Sequence, residues 1–202
     1  MTNFRGAFSG ATAALLLVVG ASCAKDDSEP TDPRSEPTAS SSPSSTPTSP
    51  SDAATAAATE TIANYYAVRN ELRQDPTKPL SRLASVAIST ELSTQQTLFK
   101  RERKQGLHQV GETKVVDVKV ESVNLDNSDP QAGKVPTVQV DVCFDVSDVD
   151  VLDADGKSVV TPNRPDTGWI RYSVSNYEWD SDPDGAWRVA SSQDIERTPC
   201  DA

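Results

Sequence analysis

A long segment has the composition of an unfolded tether, and this limits how much of the chain can form a core. Residues 28–50 are mostly Ser, Thr, Pro and acidic residues, with no aromatic side chain. Such a segment cannot bury enough apolar surface to offset the conformational entropy that folding removes. We therefore predict a disordered tether over residues 23–58 and a single folded domain over residues 59–202, with Asp52 as the alternative start of folded sequence. The Ser/Thr-Pro texture suits O-glycosylation, and it also occurs in unmodified linkers.

An apolar run lies before the tether and ends close to a cysteine. Arg5 is followed by an uncharged stretch over residues 11–19 and then by small residues up to Cys23. This stretch is shorter than the about 20 residues that a membrane-spanning helix needs, and its organisation is that of an export signal. Ordinary cleavage after Ala21 or Ala24, which would release the product, is one interpretation.

The sequence Gly-Ala-Ser-Cys at residues 20–23 resembles the lipobox of bacterial lipoproteins. In that family the cysteine is acylated and becomes the mature N-terminus, although Leu, Val or Ile usually stands where this chain has Gly20. The resemblance implies that residues 1–22 are a lipoprotein signal peptide and that Cys23 carries lipid such as palmitate. Each buried methylene contributes about 0.8 kcal/mol, so two or three acyl chains would hold the protein on the extracytoplasmic face of the cell membrane.

The charge balance excludes several kinds of function. The chain has 19 basic and 30 acidic residues and a net charge of −11, so we expect no nucleic-acid partner. The basic run at residues 100–104 ends a predicted helix, where the helix dipole favours cations. We prefer this explanation to a ligand or phospholipid site. With His108 as its only histidine, the chain has no His-rich centre, and we predict neither a metal nor a cofactor.

The first part of the predicted domain has helical periodicity. Apolar residues recur at helical spacing over residues 59–72, 80–87 and 89–105. Pro76 ends the first of these segments, and Gly106 ends the third. The sequence therefore predicts three helices before residue 106.

After Gly106 the apolar residues alternate with polar ones, which is typical of strands with one wet face. Helices followed by strands indicate an α+β domain, with N-terminal helices packed on a strongly curved, mainly antiparallel four-stranded sheet. The predicted strands cover residues 116–120, 138–146, 170–174 and 187–189.

This order of elements resembles the nuclear transport factor 2-like superfamily, the cone-shaped fold of ketosteroid isomerases, from about Thr59 onward. The sequences DVCFDVS at 141–147 and VLDADGKSVV at 151–160 are similar to actinobacterial exported lipoproteins of that type, which have no assigned activity. The resemblance implies a pocket but not a reaction.

Two cysteines, Cys143 and Cys200, remain if Cys23 carries lipid. An even pair in an exported protein is expected to be oxidised, because that compartment lacks the thiols that keep cytosolic cysteines reduced. We predict a disulfide that ties the C-terminal end to the second strand. A catalytic Cys143 is the alternative, and it would need a base nearby.

The acidic residues between 148 and 155 invite comparison with a calcium-binding loop. Aligned on Gly156, however, Val151 and Pro162 occupy the first and last ligand positions, where an EF-hand needs acids. We instead predict a hairpin in which Gly156 supplies the positive φ of the turn.

Four residues are candidates for lining a pocket: Tyr65, Tyr172, Trp187 and His108. In a cone-shaped fold the first helix and the sheet share one cavity, where these side chains would place polar tips on apolar walls. Core packing is the alternative role for the three aromatic residues. We identify no catalytic residue.

These features together predict a membrane-anchored extracytoplasmic lipoprotein whose domain is a non-catalytic binding or assembly module of the cell envelope. The expected partners are the membrane, through the lipid, and either an envelope protein or a small apolar ligand. The alternatives are a ketosteroid-isomerase or dehydratase-type enzyme and a structural envelope component without a ligand. Enzymes of that type need a base that faces a tyrosine or a protonated acid. A buried carboxylate or imidazole opposite Tyr65 or Tyr172 would therefore favour an enzyme.

Overall fold

The computed structural model describes residues 49–197 and Cys200. The predicted signal peptide, the lipidation site Cys23 and most of the predicted tether lie outside the described residues. Within the described part of the chain, no helix is both long enough and apolar enough to cross a membrane.

Helix α1 (Pro50–Gln74) begins earlier than the composition predicted. The hydroxyl of Ser49 accepts a hydrogen bond from the backbone N–H of Asp52 at 3.2 Å. Pro50 is the first helical residue, a position where the fixed φ of proline suits the helix. Ala54 and Ala58 are buried in the core. Residues 50–58, which were predicted to belong to the tether, are therefore helical and belong to the domain.

A 3₁₀ helix (Leu80–Ser85) and helix α2 (Ser89–Lys104) follow, so the predicted second helix is of the tighter type. Gly106 has a φ of 71°, a left-handed conformation that ends the helical segment without strain. A small core forms between the three helical elements from Leu72, Leu83 and Phe99.

The basic run at the end of α2 contacts the end of α1. Arg103 donates hydrogen bonds to the carbonyl oxygens of Leu72, at 3.2 Å, and Lys78, at 2.8 Å. Arg73 forms an ion pair with Glu102 at 2.8 Å. Arg103 of this run therefore has a structural role, because it donates to carbonyl groups at the end of α1 and in the loop after it, where helical partners are missing.

In the described part of the chain, six strands follow α2, and they form two antiparallel sheets. One sheet has four strands in the order β2-β3-β5-β6, and the other pairs β1 with β4. The strands are β1 (His108–Val110), β2 (Lys114–Asn124), β3 (Thr137–Asp145), β4 (Asp150–Leu152), β5 (Thr167–Asn176) and β6 (Trp187–Ile195).

The α+β class and the four predicted strands are confirmed, whereas the predicted strong curvature of the sheet is wrong. The large sheet has β2 and β6 at its edges, and it is neither closed nor strongly curled. The alternating pattern predicts which face of a strand is buried, but it contains no information on curvature, which depends on bulges and packing. The small sheet was not predicted, because three-residue strands are too short to show a period.

One face of the large sheet forms the main core. Even-numbered residues of β3 and β5 point to this face and pack against α1. The opposite face carries Asp141, Arg171 and Trp169, and Arg197 contacts Asp141 and the Trp169 ring there. The main core includes Ile62, Tyr65, Tyr66, Val138, Val140, Val142, Tyr172, Val174, Trp187 and Val189.

The predicted hairpin at Gly156 is present. Gly156 has a φ of 76°, and the Asp153 N–H donates a hydrogen bond to the Lys157 carbonyl at 3.0 Å. A bridge between Leu152 and Ser158 continues this pairing on the strand side of the turn.

Candidate functional site

Three tyrosines and a glutamate form a polar cluster inside the main core. Tyr65 and Tyr66 come from α1, Glu91 comes from the first turn of α2, and Tyr172 comes from β5. The ring centroids of Tyr65 and Tyr172 are 5.6 Å apart, and the two hydroxyl groups of Tyr66 and Tyr172 are 2.9 Å apart. The structure thus brings together two of the predicted pocket-lining residues, Tyr65 and Tyr172, and adds a carboxyl group that was not predicted.

Glu91 is the centre of this cluster. Only 2% of its surface is exposed. The Tyr65 hydroxyl donates a hydrogen bond to its Oε1, and the Gln95 amide donates to the same oxygen at 2.8 Å. The Ser192 hydroxyl donates to Oε2 at 2.7 Å. Both carboxyl oxygens therefore have protein partners, as a buried polar group requires.

Burial keeps the tyrosines of the cluster neutral. It raises the pKa of Tyr65 well above the ordinary value, an effect that the Arg69 guanidinium opposes and that Glu91 increases. Burial likewise raises the pKa of Tyr66 and of Tyr172. At neutral pH the three hydroxyl groups are therefore protonated, and none is a phenolate base.

Arg69 lies one helical turn beyond the two tyrosines of α1. Its guanidinium carbon is 5.1 Å from the ring centroid of Tyr65 and 5.6 Å from that of Tyr66, which are cation–π distances. Its Nε is buried and has no hydrogen-bond partner among the described residues. The aromatic rings therefore provide much of the environment of this half-buried cation.

The other two predicted pocket residues lie elsewhere. His108 is in β1 and pairs with Leu152, so it belongs to the small sheet and not to the tyrosine cluster. Trp187 is buried, and its Nε1 donates to the carbonyl of Pro183 at 3.0 Å. It lines a separate cleft of about 210 Å³ beside Thr61 of α1.

A mainly apolar groove of about 480 Å³, which we call the end groove, lies at one end of the large sheet. It lies where β3 ends, β5 begins and β6 ends, beside the last turn of α1. Its apolar lining consists of Phe144, Val146, Val149, Val151, Pro165, Gly168, Trp169 and Ile195, and its polar lining consists of Arg73, Thr113, Arg164, Thr167 and Asp194.

A glycine allows the floor of the end groove to form. Gly168 is the register partner of Phe144, and a Cβ at position 168 would lie 2.8 Å from the Phe144 ring. Real Cβ atoms do not approach a ring carbon this closely, so the ring can lie over β5 only because residue 168 has no side chain.

Arg164 fixes one wall of the end groove. Its Nη2 donates to the carbonyl of Val146 at 2.6 Å and to that of Val149 at 2.9 Å. These two bonds hold the loop after β3, which carries the apolar side chains of that wall. Arg164 is therefore a positioning residue for the groove.

The C-terminal strap, by which we mean residues 195–197 and Cys200, contributes Ile195 to the same groove. Cys143 and Cys200 form a disulfide with a Cα–Cα distance of 6.2 Å, so the predicted bond to the second strand of the large sheet is confirmed. Arg197 of the strap contacts the carboxylates of Asp141 at 2.5 Å and Glu121 at 2.9 Å. The strap thus crosses from the β6 edge over β5 to the other side of the sheet.

A more polar cleft of about 560 Å³ adjoins the end groove at Arg164, which lines both. The lining of this cleft includes Asp148, Asp150 and Asp166. The Ser158 hydroxyl donates to Asp150 at 2.6 Å, and Lys114 pairs with Asp148. Within residues 49–197 and Cys200, no three His, Cys, Asp or Glu side chains are grouped as metal ligands would be.

The comparisons with known proteins do not assign this chain to a family. No family model and no curated protein matches it. Among solved structures, the intermembrane space region of the chloroplast protein ARC6 is similar with a TM-score of 0.46 and 13% identity, over 68% of this chain and 93% of that chain. Aln2 from a Streptomyces species is similar with a TM-score of 0.39 and 16% identity, over 66% of this chain and 86% of that chain. At these scores neither likeness indicates a function.

Proposed function

We propose that this protein is a lipid-anchored extracytoplasmic binding module that holds a small apolar ligand in the end groove and catalyses no reaction. The observation that carries this proposal is the groove itself, which is open and mainly apolar. Its volume of about 480 Å³ falls in the range of small-molecule sites. A ligand there would gain from burial of its apolar surface against Phe144, Trp169 and Ile195.

The state of the buried acid supports binding over catalysis. A general base must reach a substrate proton. Both oxygens of Glu91 are bound by Tyr65, Gln95 and Ser192, and the end groove is lined by other residues. The cluster therefore serves to join α1, α2 and β6.

The location is proposed from the sequence. The lipobox-like Cys23 would carry the acyl chains, and the Pro-rich segment after it would hold the domain off the membrane. Helices that precede an antiparallel meander support membership of the nuclear transport factor 2-like superfamily, and the segments at 141–147 and 151–160 support a kinship with actinobacterial lipoproteins.

Binding of an apolar fluorophore to a matched pair of variants tests this function. N-phenyl-1-naphthylamine would be titrated into the exported Cys23→Ser chain, which carries no acyl chain to compete. Val151 lines the groove, whereas Val159 is 49% exposed and does not. Val151→Asp should abolish saturable binding, because a carboxylate would then be desolvated against an apolar ligand. Val159→Asp should leave binding unchanged.

Two results would count against the proposal. Equal binding by the two variants would place the fluorophore outside the groove. An absence of saturable binding in the parent chain, together with capture of an envelope protein by Val159→Asp but not by Val151→Asp, would make the groove a protein-docking surface.

A second candidate function, a ketosteroid-isomerase or dehydratase-type enzyme, is favoured by one observation. The buried Glu91 lies opposite Tyr65, which is the arrangement of acid and tyrosine that such chemistry uses. Catalysis would require the cluster to open to a substrate. Proton exchange of α-hydrogens in a panel of cyclic ketones, measured by NMR with Glu91→Gln as the control, would detect it. A rate that Glu91→Gln reduces about 100-fold would support this second function over the first.

A further inference from the structure

We infer that the cleft beside Trp187 is a second binding site, separate from the end groove, and that it takes a small primary alkylammonium ion. We call this cavity, whose lining includes Trp187, Glu60 and Asp184, the indole cleft. It shares no lining residue with the end groove, so the inference does not depend on the proposed function. Its volume of about 210 Å³ is smaller than that of sites for drug-sized ligands, which limits the occupant to a small molecule.

Three separate segments of the domain form the indole cleft. Helix α1 forms one wall, because residues three or four apart lie on the same face of a helix. The residues of this wall are Ala57, Glu60, Thr61 and Asn64. The end of the 3₁₀ helix and the turn before β6 form the rest of the lining. The cleft is therefore concave, as ligand sites are, and its walls are held by the packing of regular elements.

Buried apolar side chains form the floor of the indole cleft. Trp187 and Val86 are buried, and Ala57 packs against the main core. The Trp187 indole is fixed, because its Nε1 donates to the Pro183 carbonyl at 3.0 Å and its ring packs edge-on against Trp179, with the ring centroids 6.0 Å apart. A short alkyl chain could bury its apolar surface on this floor, and an indole is the aromatic ring that attracts a nearby cation most strongly.

The hydroxyl groups of the indole cleft present acceptors to a ligand. The Thr61 hydroxyl donates to the Ala57 carbonyl at 2.8 Å, and the Ser85 hydroxyl donates to the Arg82 carbonyl at 2.8 Å. Because both protons are used within the protein, the two oxygen atoms can only accept hydrogen bonds from a ligand. The backbone N–H of Gly185 likewise donates to a carboxylate of its own turn, at 2.8 Å.

Two carboxylates give the indole cleft its charge. Glu60 lies on the α1 wall, and Asp184 lies in the turn before β6. In the part of the chain that the structure describes, neither carboxylate has a hydrogen-bond or ion-pair partner, and no Lys or Arg lines the cleft. An anion would therefore be repelled, whereas a cation would find two carboxylates that carry no competing partner.

A primary ammonium group matches these features. It carries a positive charge, three N–H donors and no acceptor, and the lining offers carboxylate, hydroxyl and, at Asn64, amide oxygens. A neutral alcohol would gain the apolar floor but no ion pair. Calcium binds six to eight oxygen ligands, and within residues 49–197 and Cys200 no three metal-ligating side chains are grouped together.

Nuclear magnetic resonance of the nitrogen-15-labelled, exported Cys23→Ser chain tests the inference, with n-butylammonium as the probe. The indole N–H signal of Trp187 should shift and saturate with a Kd on the order of 1 mM. The indole N–H signal of Trp169, which lines the end groove, should not move. 1-Butanol has a similar shape but no charge, so it should cause no saturable shift, and neither should calcium chloride.

Three isosteric variants identify the groups that hold the probe. Glu60→Gln and Asp184→Asn each remove one carboxylate of the cleft, and each should raise the Kd about tenfold. Glu112→Gln removes an exposed acid that does not line the cleft, and it should leave the Kd unchanged. Far-UV circular dichroism would show that all three variants fold, as expected for changes at exposed positions.

Several outcomes would overturn the inference. A Trp187 signal that does not saturate by about 100 mM n-butylammonium would mean that the cleft takes no alkylammonium ion. Equal weakening by all three variants would assign the effect to net charge, and an equal response to 1-butanol or to calcium would assign the cleft to a different ligand class. Binding of N-phenyl-1-naphthylamine should be the same with and without n-butylammonium, so failure of this site and failure of the proposed function are separate results.

Discussion

The buried hydrogen bond between Tyr65 and Glu91 predicts a stability effect much larger than that of an ordinary tyrosine. Tyr65→Phe removes one hydroxyl and keeps the ring, so the contacts of that ring with Tyr172 and Arg69 remain. The Glu91 Oε1 then keeps only the Gln95 amide, because Tyr65 and Gln95 are its two donors. Loss of a hydrogen bond to a buried carboxyl group costs about 1.5–3 kcal/mol, so we expect the free energy of unfolding to fall by that amount.

Urea denaturation followed by circular dichroism would measure this change, with Tyr177→Phe as the matched control. Because Tyr177 is 42% exposed, removal of its hydroxyl should change the free energy of unfolding by no more than about 0.5 kcal/mol. In a double-mutant cycle with Glu91→Gln, the coupling between positions 65 and 91 should lie between about 0.5 and 3 kcal/mol. If Tyr65→Phe were as stable as Tyr177→Phe, or if the coupling were zero, the cluster would not join the helices as argued above.

Three further predictions follow from the groove, the strap and the N-terminal cysteine. Gly168→Ala should push the Phe144 ring into the end groove and weaken fluorophore binding while the domain stays folded, as titration and circular dichroism would show. Hydrogen bonding to Arg171 lowers the pKa of Asp141 below its value of about 4 in the unfolded chain. The stabilising effect of Asp141 is therefore complete above about pH 4 and is lost as the pH falls through the lower pKa of the folded protein. Acid unfolding, followed by tryptophan fluorescence, should be less steep with pH for Asp141→Asn than for the parent. Cys23→Ser should abolish palmitate labelling and move the protein from the membrane fraction to the medium or periplasm, whereas a parent chain that takes up no label would refute the lipid anchor.

The regular elements could be predicted because their patterns are long. Alternation over residues 138–146 predicted the strand, and the even-numbered valines of β3 do lie in the core. The predicted wet face of β3 is wrong, because Asp141 and Cys143 are fully buried under the ion pairs of Asp141 and the disulfide of Cys143. The disulfide was predicted from an expected export signal and from an even number of remaining cysteines, with no structural information. Both inferences depend on local chemistry that later folding does not override.

Other features could not be predicted because their signals have ordinary explanations. An acid in the first turn of a helix is expected from the helix dipole, so nothing in the sequence marks Glu91 as buried, and only the packing of α1 and β6 places it inside. The start of α1 was missed because Ser49 and Pro50 match the composition of the tether. A Ser-Pro pair followed by an acid and an alanine-rich run is nevertheless an N-terminal capping signal, and it would have placed the helix start correctly.

The direction of α1 has a practical consequence for anyone who immobilises this protein. The chain enters the domain at Ser49, and the end groove lies beside Arg73, at the opposite end of a helix of 25 residues, or about 37 Å. A surface linkage or fusion before residue 49 therefore leaves the mouth of the groove unobstructed. A tag placed after Cys200 would instead sit next to the strap and Trp169. The attachment point alone would then decide whether a binding assay reports on the site or on the tag.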